Sequence, residues 1–132
     1  MASVDADVTT MLAATGSLSG VSVFQGPVRE IGAFVPPTAV FVLQTGGIAP
    51  TPYLGTGTDV RDSGVQIRIR SDVANGYSTA VDLAQTVLAA VQRKTPSGRV
   101  TMFVNESEPT YLGQDGLGNF EFSLNCRVVW VG

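Results

Sequence analysis

The sequence predicts an α+β fold: one domain spanning residues 1–132, with a mostly antiparallel sheet of about five strands and two helices, one main and one short and N-terminal, packed on one face. Three stretches carry that prediction. The last, from Asn119 to Val131, alternates with period two: Phe120, Phe122, Leu124, Cys126, Val128 and Trp130 share one face, and Asn119, Glu121, Ser123, Asn125 and Arg127 the other. Gly64–Arg70 alternates in the same way, with Val65, Ile67 and Ile69 opposite Gln66, Arg68 and Arg70. Between them the period switches to 3.6, and Tyr77, Ala80, Val81, Ala84, Val87, Leu88 and Val91 form one helical stripe opposite Thr79, Asp82, Gln85 and Gln92.

Taken from the start, Val4–Ala14 reads as the short helix, because Val4, Val8, Met11 and Leu12 share a face. Ser3 or Asp5 supplies its cap, and Asp7 suits the positive end of the helix dipole. Gly16 and Gly20 break the pattern, Val21–Phe24 forms a short strand, and Gly26-Pro27 ends it. Ala39–Leu43 is a continuous apolar run that starts as a strand only after the Pro36-Pro37 pair, which cannot donate to a ladder. After Arg70, Asp72 and Asn75 are alternative caps for the main helix, which Pro96 and Gly98 stop. Arg93 and Lys94 complement its negative end. Val100–Val104 is the next strand, Glu106–Gly118 a turn-rich loop, and the closing strand follows. At ~3.3 Å per residue that strand is roughly 43 Å long, enough to overhang a small domain unless something covers it.

Composition narrows the function. Eight basic against eleven acidic residues leave a net charge of -3, without the clustered positive surface that phosphate binding draws on. Apolar residues make up 44% of the chain but in short runs, far from the roughly 20 needed to span a bilayer. The opening MASVDADVTTM carries two aspartates and no basic cluster, so neither a signal peptide nor a mitochondrial presequence is expected. Only 14% of residues are charged, which points to surface buried against other subunits. The single cysteine, Cys126, lies on an apolar strand face and reads as a buried, inert thiol.

No catalytic, cofactor or metal site is expected. The chain has no histidine, which removes the commonest general base and metal ligand. Gly55 and Gly57 begin a pattern like a phosphate cradle, yet Val60 stands where the third glycine belongs and no Gly-Lys-Ser or Gly-Lys-Thr follows. Asp59 and Asp62 stand three apart but read as solvated acids. Asp115, in Gly-Gln-Asp-Gly, falls short of the oxygens a calcium ion needs and reads as a turn former.

The remaining candidates are interface residues. Gln44–Ser63 is rich in Gly and Pro and reads as a long flexible loop, whose apolar Ile48, Tyr53 and Leu54 favour docking onto something else. Arg68 and Arg70 either grip an anion or pair with a carboxylate across the sheet or a subunit boundary, Glu121 being the natural partner. Tyr111 and Asp115 in the Pro109–Asp115 turn complete the set.

Three pieces in order carry a resemblance: VQIRIRSDVANGYSTAVDLAQTVLAAV, the acidic Pro-Thr-Tyr-Leu-Gly-Gln-Asp turn, and GNFEFSLNCR. Together with the short N-terminal helix, they resemble the minor capsid or tail terminator family of long-tailed bacteriophages, the group of the lambda-type tail terminator. Gln44–Ser63 has no counterpart in that resemblance. The resemblance implies a structural virion protein and no enzyme. It implies a homo-oligomeric ring, usually a hexamer, that caps the tail tube, ends its polymerisation and joins tail to head. The implied partners are further copies of itself, the tail tube protein and a head-tail connector or neck protein. Its place is then the virion tail or neck, and the host cytoplasm during assembly. Another neck or tube component is the nearest alternative, and a small-molecule-binding α+β module a more distant one.

Overall fold

A computed structural model describes residues 3–27, 35–52, 59–96, 98–99 and 101–131. Helix α1 is Val4–Ala13, followed by a 3-10 turn at Gly16–Leu18. Strands β1 (Ser22–Gln25), β2 (Ala39–Pro52) and β3 (Asp59–Ser71) come next, then a 3-10 turn at Val73–Asn75 and helix α2 (Gly76–Val91). Strands β4 (Thr101–Val104), β5 (Thr110–Gln114) and β6 (Phe120–Val131) complete the chain.

The six strands form one sheet in the order β1-β2-β3-β6-β4, with β5 on the same side of β6 as β4. Only β1 and β2 run parallel; the other pairs are antiparallel. The register aligns the apolar alternation of neighbouring strands, so Val40 and Val42 lie beside Ile69 and Ile67, and these beside Phe122 and Leu124. A slip of one residue would send that whole set to the opposite face.

Both helices cover this one face. Val4, Val8 and Leu12 from α1 and Ala80, Ala84, Val87 and Val91 from α2 join Val65, Ile67, Leu124, Cys126 and Val128 in a single buried cluster. Small alanines on α2 let the helix approach the sheet closely, while valines fill the layer between. Each fully buried Leu or Ile there contributes about 1.5–3 kcal/mol. The α+β prediction and the one-sided helix packing hold, with six strands where about five were expected.

Two stretches differ from the sequence reading. Gln44–Ser63 is not a long loop: β2 continues to Pro52 and β3 begins at Asp59, so only 53–58 fall outside the described residues. Gly46, which reads as a loop former, instead adjoins a bulge between Gln44 and Gly46, and a second irregularity between Ile48 and Thr51 contains Pro50. Gly46 and Gly47 have φ of 91° and 107°, a left-handed region open to glycine. A Cβ on Gly47 would overlap the Asp62 carbonyl oxygen and lie 2.6 Å from the Gly64 nitrogen. Pro50 and Pro52 fall where β2 has no second partner strand among the described residues, a place in a sheet that tolerates proline. Second, the turn-rich Glu106–Gly118 stretch contains β5, which pairs Thr110–Gln114 with Phe120–Ser123 across a bulge at Leu112.

Candidate assembly surface

The sheet face away from the helices carries the polar alternation. Arg68 lies opposite Ser123, and its guanidinium reaches diagonally to Glu121 at 3.3 Å, the partner expected from the sequence. Arg70, although directly opposite Glu121 on the ladder, turns the other way. It donates to the carbonyls of Pro36 (2.6 Å) and Pro37 (3.0 Å), and its charge sits 5.6 Å from the centre of the Phe41 ring. Phe41 in turn stacks on Phe24 at 5.7 Å, which is why an aromatic on the open face is only 5% exposed. The Pro36-Pro37 pair therefore does more than delay β2: it supplies acceptors that fix Arg70.

Between these groups runs a groove of about 280 Å³, walled by Pro27, Phe41 and Leu43 on the apolar side and by Arg68, Arg70, Glu121 and Asp115 on the charged side. Asp115 holds its own turn together. Its Oδ1 accepts from the backbone nitrogens of Leu117 and Asn119, both at 2.9 Å, and its Oδ2 from the Asn119 amide at 3.2 Å. Burial alone would raise its pKa, but those bonds from Asn119 and Leu117, with the Arg70 charge, hold the carboxyl below its ordinary range. Asn119 passes the tie on, its Oδ1 accepting from Val73 N at 3.2 Å just before α2.

The structure thus brings Arg68, Arg70 and Asp115 to one groove and places Tyr111 and Ile48 elsewhere on the sheet. Tyr111 lies against Tyr77 (5.5 Å, edge-on) and Phe122 (5.3 Å), in an aromatic cluster beside the start of α2, and is 44% exposed. Ile48 pairs with Asp62, about 20 Å along β3 from Arg68. Tyr53 and Leu54 lie outside the described residues.

Three polar arrangements escaped the sequence reading. Arg127 forms a two-pronged pair with Asp62 (Nε to Oδ1 at 2.9 Å) on the open face, where Asp62 reads in sequence as a solvated acid. Glu106 Oε1 accepts from Asn125 N (2.7 Å) and Asn125 Nδ2 (2.9 Å), fastening the β4–β5 connection to β6. On the helix side Arg99, with a side chain 1% exposed, bonds Asp7 at 2.8 Å and 3.1 Å and lies 4.2 Å from the centre of the Trp130 ring. The alternation of β6 does signal Arg127, but no periodicity marks Arg99 in its turn. Cys126 is buried as expected, and burial first, with Glu106 nearby, pushes its thiol up to about 12.

Among the described residues no group of three His, Cys, Asp or Glu side chains is placed to hold a metal ion. Likewise no described helix is long and apolar enough to cross a membrane. The arrangement offers recognition chemistry: ion pairs, an aromatic shelf and open strand edges.

Comparison with known proteins adds three findings. The family described as bacteriophage tail terminator protein matches residues 29–130, the same family that the sequence motifs resemble. That match includes the 44–63 stretch and leaves α1 outside. No curated protein sequence matches the chain. A solved structure at 11% identity superposes with a TM-score of 0.54 over 94% of this chain and 89% of that one, a likeness of fold alone.

Proposed function

The chain belongs to the bacteriophage tail terminator family, a structural family of the phage tail, and on that premise we propose that it forms a ring that caps the finished tail tube. The ring, a hexamer in this reading, ends polymerisation and offers its other side to the neck or connector protein of the filled head. Its partners are further copies of itself, the tube protein and the connector. It acts as a minor virion component in tail completion and head-tail joining, and it assembles in the host cytoplasm. No enzymatic step enters this reading.

The family match carries the proposal, and the open sheet face supports it. Its groove combines an aromatic wall with fixed charges, a surface suited to protein contacts. A ligand-binding module would need space between helix and sheet, but Val87, Val91, Leu124 and Cys126 fill that layer. The test is tail assembly with and without the protein, viewed by electron microscopy. With it, tails of one length join to heads; without it, tubes overgrow and stay headless. Tails of normal length that join heads in its absence would overturn the proposal.

A further inference from the structure

The two ends of the sheet are unequal in how their edges are closed. On one side β4 covers Cys126–Val129 of β6, and its own outer edge is satisfied within the chain: Met102 N donates to the Lys94 carbonyl and Val104 N to Gln92 Oε1, both at 2.8 Å. The neighbouring β5 has no such cover among the described residues, and Thr110, Tyr111, Leu112 and Gln114 are exposed. On the other side β1 pairs with β2 only as far as Val42. Beyond that point β3 pairs with one edge of β2 and no described strand pairs with the other, and Gln44, Thr45, Gly46, Gly47 and Ala49 are exposed.

Charge guards neither open edge, although bulges interrupt both strands and Pro50 and Pro52 lie at the far end of β2. Leu43–Pro52 and Thr110–Gln114 contain no charged residue, and β5 presents Tyr111 and Leu112 at 44% and 45% exposure. Monomeric proteins guard such edges with charge, proline, bulges or cover, so two edges with no charge and no cover among the described residues are the candidate pairing sites of this sheet. Strand polarity then selects the partner. β6 runs in the same direction as β2, because each is antiparallel to β3, and β5 runs against them.

We infer that β5 of one copy pairs antiparallel with the open edge of β2 in the next copy, extending the sheet from subunit to subunit. The polarity argument is what ties this to a ring. An antiparallel β5–β2 contact keeps β2 of successive copies pointing the same way, as rotation about one axis requires. A parallel contact would flip alternate copies, and β2–β2 or β5–β5 pairing would close a two-fold dimer. The inference rests on the ring reading above and names the surface that makes it.

Cysteine cross-linking tests it, since native Cys126 is buried. Single cysteines replace Gln44, Thr45 or Ala49 in one set of variants and Thr110 or Leu112 in another. Opposed antiparallel residues lie about 4.5–5.5 Å apart between Cα atoms, within disulfide reach. Mixed β2 and β5 variants are expected to cross-link under mild oxidation in at least one combination, while each variant alone does not. Self-linking of single variants, or no mixed link within an intact ring, overturns the edge pairing and leaves the proposed function standing. Native mass of the unsubstituted protein separates the two: a monomer at every concentration, with tubes present or absent, defeats both.

Discussion

A guanidinium with 1% exposure cannot be hydrated, so Arg99 depends on what the protein places around it. Asp7 supplies the counter-charge from α1 and Trp130 a ring face from β6, so one side chain ties three elements together. The two partners differ in their access to water, since the Asp7 side chain is 15% exposed. Removing Asp7 therefore costs more than removing Arg99. Asp7→Ala leaves a buried cation without its carboxylate and is expected to lower stability by about 3 kcal/mol. Arg99→Met, similar in volume and uncharged, is expected to cost less than half of that. Urea unfolding of both variants checks the order, and the reverse order would show that the pair is held for another reason. Legibility follows the same physics. Arg68 and Glu121 were readable as partners because strand alternation puts both on the polar face, whereas Asp7 and Arg99 are 92 residues apart and Arg99 sits in a turn with no period to mark it.

At the scale of elements, the regular stretches announced themselves and the interrupted ones did not. Helix α2 and strands β3 and β6 bury one face each, so their periods survive in the sequence within a residue of the observed ends, except that β3 starts at Asp59, five residues before Gly64. The distal half of β2 is an edge interrupted by bulges, with glycine and proline where a ladder needs fewer donors, and local propensity reads such a stretch as loop. Strand β5 is short and exposed, and its pairing with β6 is a tertiary fact that no local pattern encodes. The glycines of β2 are separable by experiment. Gly46 has a positive φ but open space around it, so Gly46→Ala is expected to cost about 1 kcal/mol. Gly47 adds an overlap with the Asp62 backbone, and Gly47→Ala is expected to cost at least about 2 kcal/mol. Thermal unfolding of the pair reads the difference. Equal losses would mean that the β2–β3 bulge yields and that the close approach is not a constraint.

For the whole molecule, helices on one face and open strands at both edges assign the surfaces separate tasks. If the sheet continues between copies through its edges, every open face lies on the same side of the assembly, and the groove with Arg68 and Glu121 repeats once per subunit. The capping ring proposed above needs that separation, because in that proposal one set of contacts closes the ring while another meets the tube. Substitutions on the open face should therefore uncouple the two. The Arg68–Glu121 pair has side chains 40% and 27% exposed, so it contributes at most about 1 kcal/mol to stability after solvent screening. Arg68→Ala is thus expected to fold and to keep the native ring mass, and Leu43→Glu, which places a charge at the apolar wall of the groove, is expected to keep the ring as well. Both are expected to lose capping, seen as overlong tails in the electron microscope, whereas lysines at Leu112 or Thr45 are expected to lose the ring itself. Face variants that still give tails of normal length joined to heads would remove the groove from the tube contact and leave only the edges with an assembly role.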